Sequence, residues 1–336
     1  MKAFVVDHYG DAGTVQARDV PDPVVGEDDV LVRIHAASVN PLDLKIRSGD
    51  LKAILPYRAP FVLGNDLAGT VVAAGSRVTR FTVGDEVYAR PNQNRIGAFA
   101  ELIAMHQDDV AAKPATLTMT EAASIPLVGL TAWQALVERA NLRPGQKVLI
   151  HAGAGGVGTI AIQLAKHLGA QVATTASSAK TDLVRTLGAD VVIDYTKQPF
   201  ATVLRDYDVV LDTVGGDTLD QSLRVLKPGG IVVSVAGPPD PAFARQAGAN
   251  PVVRLAIAAL SFRIRRRARR LGVRYSYLFM RASGDQLREI TTLIDAGTIR
   301  PSVDRAFDFA STREALAYVE EGRAKAGKVV IRMDAA

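Results

Sequence analysis

The chain has 336 residues, a formal net charge of +5, 48% hydrophobic residues and no cysteine. That length favours two compact domains over one, and the missing cysteine excludes disulfides, thiolate zinc sites and a cysteine nucleophile. The positive charge is local: Arg263–Arg274 carries seven arginines (263, 265, 266, 267, 269, 270 and 274) and no acid. The remainder is slightly acidic, so the high isoelectric point says little about the rest of the surface.

Met1-Lys2-Ala3-Phe4-Val5-Val6 enters a strand pattern at once, without the basic start, apolar stretch and small-residue cleavage site of a secretory signal. A cytoplasmic protein is the expectation. Up to about Ile125, short strand-like runs (Val30–Ile34, Gly69–Ala73, Asp85–Tyr88) alternate with Gly, Pro and Asp. This pattern predicts a compact β-rich domain.

From Lys147 the pattern changes to strand, turn, helix, turn, strand. Val148-Leu149-Ile150 suits a buried parallel strand. Gly153-Ala154-Gly155-Gly156-Val157-Gly158 follows, then a helical apolar face (Ile160, Ile162, Leu164, Ala165, Leu168) ended by Gly169. In this context Gly153, Gly155 and Gly158 read as a dinucleotide loop: the first allows the tight turn, the second admits a pyrophosphate to the backbone, the third lets helix and sheet pack. Gly156 and Val157 open the helix whose amides and dipole meet the anion.

The next strand starts at Val172 and ends near Thr175-Ala176-Ser177-Ser178-Ala179-Lys180, where an NAD site would carry an acid for the ribose hydroxyl. Ser177, Ser178 and Lys180 offer hydroxyls and a charge for a 2′-phosphate instead. NADPH is the expected cofactor, although Lys180 also reads as a solvated first-turn residue. Asp190–Asp194, Val209–Asp212 and Ile231–Val235 continue the alternation of a doubly wound parallel sheet. Tyr195, Thr213–Gly216 and Ala236-Gly237 then lie on the ligand side, with Tyr195 either touching the adenosine or packing as an ordinary tyrosine. His151 reads as structural.

Pro251–Leu260 is mostly apolar and runs straight into the arginines. The favoured reading is a helical excursion whose arginine stems cover apolar surface; contact with nucleic acid, an anionic membrane or another subunit is the alternative. A strand over Arg274–Met280, a helix over Gln286–Ala296, a strand over Ile299–Val303, a helix over Ser311–Glu321 and a strand over Lys328–Arg332 complete the chain.

Several motifs, in order, resemble the medium-chain dehydrogenase/reductase superfamily, in its zinc-free quinone and enone oxidoreductase branch. They are Asn40-Pro41-Leu42-Asp43-Leu44-Lys45, Gly64-Asn65-Asp66-Leu67-Ala68-Gly69, Gly84–Val87, Gly97–Glu101, Pro126–Ala132 and the glycine loop. The resemblance spans essentially the whole chain. It implies an α/β fold: a GroES-like catalytic domain over 1–125, completed by 283–336, and a Rossmann domain over 126–282. Zinc alcohol dehydrogenases carry a cysteine and a histidine where this chain has Asn40 and Asn65, so no metal is expected.

Without that Lewis acid, hydride transfer to an enone or quinone is easier than alcohol oxidation, because the acceptor spreads the incoming charge onto its own oxygen. The resemblance puts Asn40 on the active-site cleft, Thr131 near the nicotinamide and diphosphate, and Ala236-Gly237 against the nicotinamide ring. Asn40 is the leading donor to the enolate. Tyr57 reads equally as donor or stacking aromatic, and Lys45 as donor or solvated charge; water is another proton source. A homodimer through Tyr275–Met280 is implied. Competing readings are an enoyl-thioester reductase and a non-catalytic NADP-binding protein that docks RNA or membrane through Arg263–Arg274.

Overall fold

A computed structural model describes residues 1–333. The chain divides into two compact units, Met1–Leu130 with Arg281–Ala336, and Thr131–Met280. The first division falls after Leu130 rather than at 125/126, inside the Pro126–Trp133 helix.

The first unit opens with strands β1 (Lys2–Val6), β2 (Val15–Asp19), β3 (Asp29–Val39), β4 (Phe61–Val62), β5 (Leu67–Ala74), β6 (Glu86–Ala89), β7 (Leu102–His106) and β8 (Val110–Ala112). Val30, Val32 and Ile34 of β3 are buried while Leu31, Arg33 and His35 are not, the period-two signature of a sheet with one covered face. From Ala36 to Asn40 both faces are buried, and there β3 delivers the chain into the helix Pro41–Ser48. Proline at its first position fits a fixed helical φ, and Gly49 closes it at φ 88.

The second unit is one six-stranded parallel sheet of β9 (Lys147–Ile150), β10 (Gln171–Ala176), β11 (Val191–Asp194), β12 (Tyr207–Asp212), β13 (Leu226–Ser234) and β14 (Arg274–Tyr277). Its order is β11-β10-β9-β12-β13-β14, so the winding reverses between β9 and β12. That reversal marks where a doubly wound sheet holds its ligand. Val148, Leu149 and Ile150 are wholly buried, which is why β9 is a continuous apolar run. β14 stops at Tyr277, three residues short of the expected strand.

The chain then returns to the first unit through the helices Gly284–Asp295 and Thr312–Glu320 and strands β15 (Val303–Asp308) and β16 (Lys328–Arg332). Ile299–Val303 was expected as a strand; the strand instead begins at Val303, past Pro301, which has no N–H for a ladder. β16 lies antiparallel to β3, with Val329 opposite Val39, and extends a sheet ordered β15-β16-β3-β5-β6-β8.

Candidate active site

The first unit gathers a buried polar cluster where β3, β5 and β16 meet. Asn40, Asp43, Asn65, Asp66, Ser38 and Lys328 are all at most 5% exposed. Lys328 Nζ donates to the Asn40 side-chain oxygen, to Val39 O at 2.9 Å and to Asp66 at 3.4 Å. Asn40 Nδ2 donates to Asp66 at 2.8 Å and to Ser38 O at 3.3 Å. Asp66 also accepts from the Ser38 hydroxyl and the Leu127 amide, both at 2.7 Å. Asp43 accepts from the Asn40 backbone N–H and from Asn65 Nδ2, each at 2.7 Å.

Burial dominates the electrostatics here. It raises the Asp43 carboxyl to about 6 and pushes Asp66 up and Lys328 down, while their mutual attraction opposes both shifts. Every Asp66 oxygen has a donor, so the pair is held by hydrogen bonds as well as charge. The Asn65 side-chain oxygen is buried without a partner. Arg90, at the end of β6, is 1% exposed with an unpartnered Nε, close enough to Tyr57, Asp66, Asp109 and Asp43 to feel their charges.

The expected donors fare differently. Asn40 has both amide hydrogens turned inward, so it organises the cluster instead of presenting an N–H to a substrate. Lys45 sits on the exposed side of the Pro41–Ser48 helix, whose buried positions are Asp43, Ile46 and Arg47; the lysine that reaches Asn40 is Lys328. Tyr57 is half-buried, donates to Gln93 O and packs on Phe61 at 5.2 Å between ring centroids. Burial pushes its phenol up to about 12, so it stays a donor at neutral pH. Sequence patterning had no means of finding Asp66 and Lys328 as partners of Asn40, because they come from separate parts of the sheet.

In the second unit the glycine loop is shaped to admit a dinucleotide. A Cβ on Gly158 would lie 2.3 Å from Ala152 O, and one on Gly153 2.1 Å from Thr174 Oγ1, so both are required by packing. The left-handed turn itself falls on Ala152 at φ 51, not on the first glycine. Gly155 is exposed, and its Cβ would meet only Ala152 O, at 3.2 Å. What its bareness provides is access. The helix Gly156–His167 starts there with no side-chain cap, leaving the half-buried Gly156 and Val157 at an open amide terminus.

Ser177, Ser178 and Lys180 form the turn after β10, and Tyr195 beyond β11 is 63% exposed. The lysine makes no ion pair among the described residues. One expectation needs correction: a carboxylate is present. β11 runs parallel to β10 with Asp194 opposite Ala176, and Asp194 accepts from the Ser178 and Thr196 hydroxyls and pairs with Lys197 at 3.4 Å. These bonds hold its carboxyl well below the usual range.

Ala236-Gly237 follow β13 in a loop fixed by Ser234, which accepts from the Gly237 amide at 2.8 Å and donates to Asp212. A Cβ on Gly237 would strike the Tyr275 hydroxyl at 2.7 Å. His151 is buried between Ser222 (2.9 Å) and Thr175 (3.3 Å), and burial lowers it to about 4. It is a neutral structural histidine. Thr131 is buried in its helix.

Family models match twice, as an alcohol dehydrogenase GroES-like domain over residues 26–115 and a zinc-binding dehydrogenase over residues 187–331. The NADPH-dependent alkenal/one oxidoreductase of Arabidopsis thaliana is 35% identical, over 98% of this chain and 79% of its own length. The quinone oxidoreductase structure from Coxiella burnetii is 32% identical, with 99% of each chain covered and a TM-score of 0.86. A mycobacterial protein solved with NADPH is 30% identical over 99% of this chain and all of its own, with a TM-score of 0.81.

Zinc does not fit this chain. Asn40 and Asn65 point amide N–H groups at carboxylates, an ammonium fills the space beside them, and no group of three or more His, Asp or Glu among the described residues is placed to hold a metal. The bare Gly155 and open helix terminus do fit a dinucleotide. The chain belongs to the medium-chain dehydrogenase/reductase superfamily, in its zinc-free branch, and is an oxidoreductase of the NAD(P)-dependent kind.

Proposed function

We propose that the protein is an NADPH-dependent reductase of quinones or of the C=C bond of α,β-unsaturated carbonyl compounds, acting in the cytoplasm as a homodimer. The observation that supports this reading is the Lys328–Asn40–Asp66 cluster, built on Asn40, one of the two positions that by resemblance carry zinc ligands in zinc alcohol dehydrogenases. A conjugated acceptor tolerates that loss, because its own oxygen takes up the negative charge. Relatives named for alkenal/one, 2-methylene-furan-3-one and quinone reduction support the substrate class.

When bound, the nicotinamide supplies the hydride. Gly155, Gly156 and Val157 hold the diphosphate at an unoccluded amide terminus, and Ser177, Ser178 and Lys180 hold the 2′-phosphate. The Ser234–Asp212 bond fixes the Ala236-Gly237 backbone, which would face a bound nicotinamide. Tyr57 exchanges its Gln93 partner for a hydrogen bond to the substrate oxygen, and water delivers the proton. The cluster acts through position, fixing the helix that follows Asn40. Among the described residues β14 is an edge strand with one unpaired side, which suits pairing with a second copy.

The test is cofactor consumption against quinones, short enones, alkenals and an enoyl thioester, with NADPH and NADH in parallel. Turnover of quinones or enones with NADPH is expected. Turnover confined to the thioester would favour the enoyl-thioester reading, and cofactor binding with no turnover would remove the enzyme reading altogether.

A further inference from the structure

The helix Pro251–Leu260 is apolar on the side that faces water. Ile257 is its buried anchor. Opposite it, Val252, Leu255 and Ala259 fall at helical spacing, with Val252 77% and Leu255 73% exposed, and Leu260 66% exposed at the end. The helix carries one charge, Arg254, on its flank. A surface helix ordinarily turns polar residues outward.

Ser261 leads directly into the helix Phe262–Arg270. Ile264 and Ala268 pin it to the core with Leu219 and Val273. Its far side presents Arg263, Arg266, Arg269 and Arg270, together with an exposed Phe262. Arg267 pairs with Asp220; among the described residues no carboxylate pairs with those other four arginines. The helical excursion expected from sequence is present, but Val252, Leu255, Leu260 and Phe262 stay exposed beside the arginines, so the stems do not cover this stripe.

Exposed apolar surface and uncompensated cations each carry a cost, and one occupant relieves both. We infer that these two successive helices form a reversible docking surface for bilayers of anionic phospholipid. Val252, Leu255, Leu260 and Phe262 enter the headgroup–acyl boundary while the arginines meet phosphates. Ten residues reach about 15 Å, half a bilayer core, and no described helix is long and apolar enough to cross a membrane. A second copy seated on the apolar helix would bring two arginine helices together. A nucleic acid would use the arginines and leave the stripe in water.

The test is co-sedimentation of the full protein with vesicles of phosphatidylcholine, with and without phosphatidylglycerol, at low and physiological salt. Binding is expected only to the anionic vesicles, weakening with salt. Replacing Arg263, Arg266, Arg269 and Arg270 by Gln should weaken it by two to three orders of magnitude, at about five-fold per arginine. Leu255→Glu with Val252→Glu should weaken it at least ten-fold, with thermal unfolding unchanged in both variants. The inference is overturned if wild-type protein ignores anionic vesicles. It is equally overturned if the Glu variants bind as wild type does, or if they split a dimer that never bound vesicles.

Discussion

Lys328 donates its ammonium hydrogen to the side-chain oxygen of Asn40, a residue 288 positions earlier in the chain. The same ammonium reaches Asp66, itself fully buried. Removing one partner of such a pair strands the other charge away from water. Lys328→Met should therefore cost about 3–5 kcal/mol in urea unfolding, and Lys328→Met with Asp66→Asn should recover much of it. If the double variant is no more stable than the single one, the pairing is not what holds the cluster.

Two buried groups titrate in overlapping windows with opposite signs. Asp43 rises from 3.8 to about 6 on folding, so its stabilising contribution is full below 3.8 and fades as pH rises through 6. His151 falls from 6.5 to about 4, so its contribution is full above 6.5 and fades as pH falls through 4. Each is worth roughly 3 kcal/mol. Melting temperature should then vary little between pH 4 and 6.5. Asp43→Asn should unmask acid lability and His151→Asn should unmask loss toward neutral pH; parallel profiles for all three proteins would refute the assignment.

The glycine loop separates packing from ligand access. Gly158→Ala drives a Cβ into backbone at 2.3 Å and should destabilise the fold by several kcal/mol, on the order of other overpacked sites. Gly155→Ala should leave stability within about 1 kcal/mol yet weaken cofactor binding about ten-fold or more, since a methyl then stands where phosphate approaches. Fluorescence titration beside thermal unfolding checks both halves.

Substitutions at the turn after β10 test the proposed cofactor preference. Lys180→Ala should weaken NADPH about ten-fold while NADH changes little. Asp194→Asn should tighten NADPH, because it removes the carboxylate that Ser178 draws beside the turn. A loss of NADH binding in that variant would instead mark Asp194 as a ribose ligand.

What the sequence discloses follows the range of its patterns. β9, the glycine loop and its helix are local and periodic, and they lie where spacing predicts. Asp194 is not legible from β10 alone, because a parallel neighbour far along the chain sets its own last residue at the same height. Lys45 and Lys328 show the same limit. Proximity along the chain favoured Lys45, but helical periodicity turns it outward, and β16 supplies the lysine through a pairing with β3 that no local pattern encodes. The exposed stripe of Pro251–Leu260 was equally hidden, since an apolar run does not say whether anything covers it.

The return of the chain to its first unit sets an order of events during synthesis. At about 5–20 residues per second, Lys328 leaves the ribosome some 15–60 s after Asn40. Throughout that interval Asn40 and Asp66 lack their cation. The contiguous Thr131–Met280 unit is complete about 2–10 s earlier than Lys328 at the same rate. Nascent chains should accordingly show protease-resistant dinucleotide units while the segment around Asn40 is still cleavable, and a chaperone waiting on this protein would find its binding sites near the amino terminus.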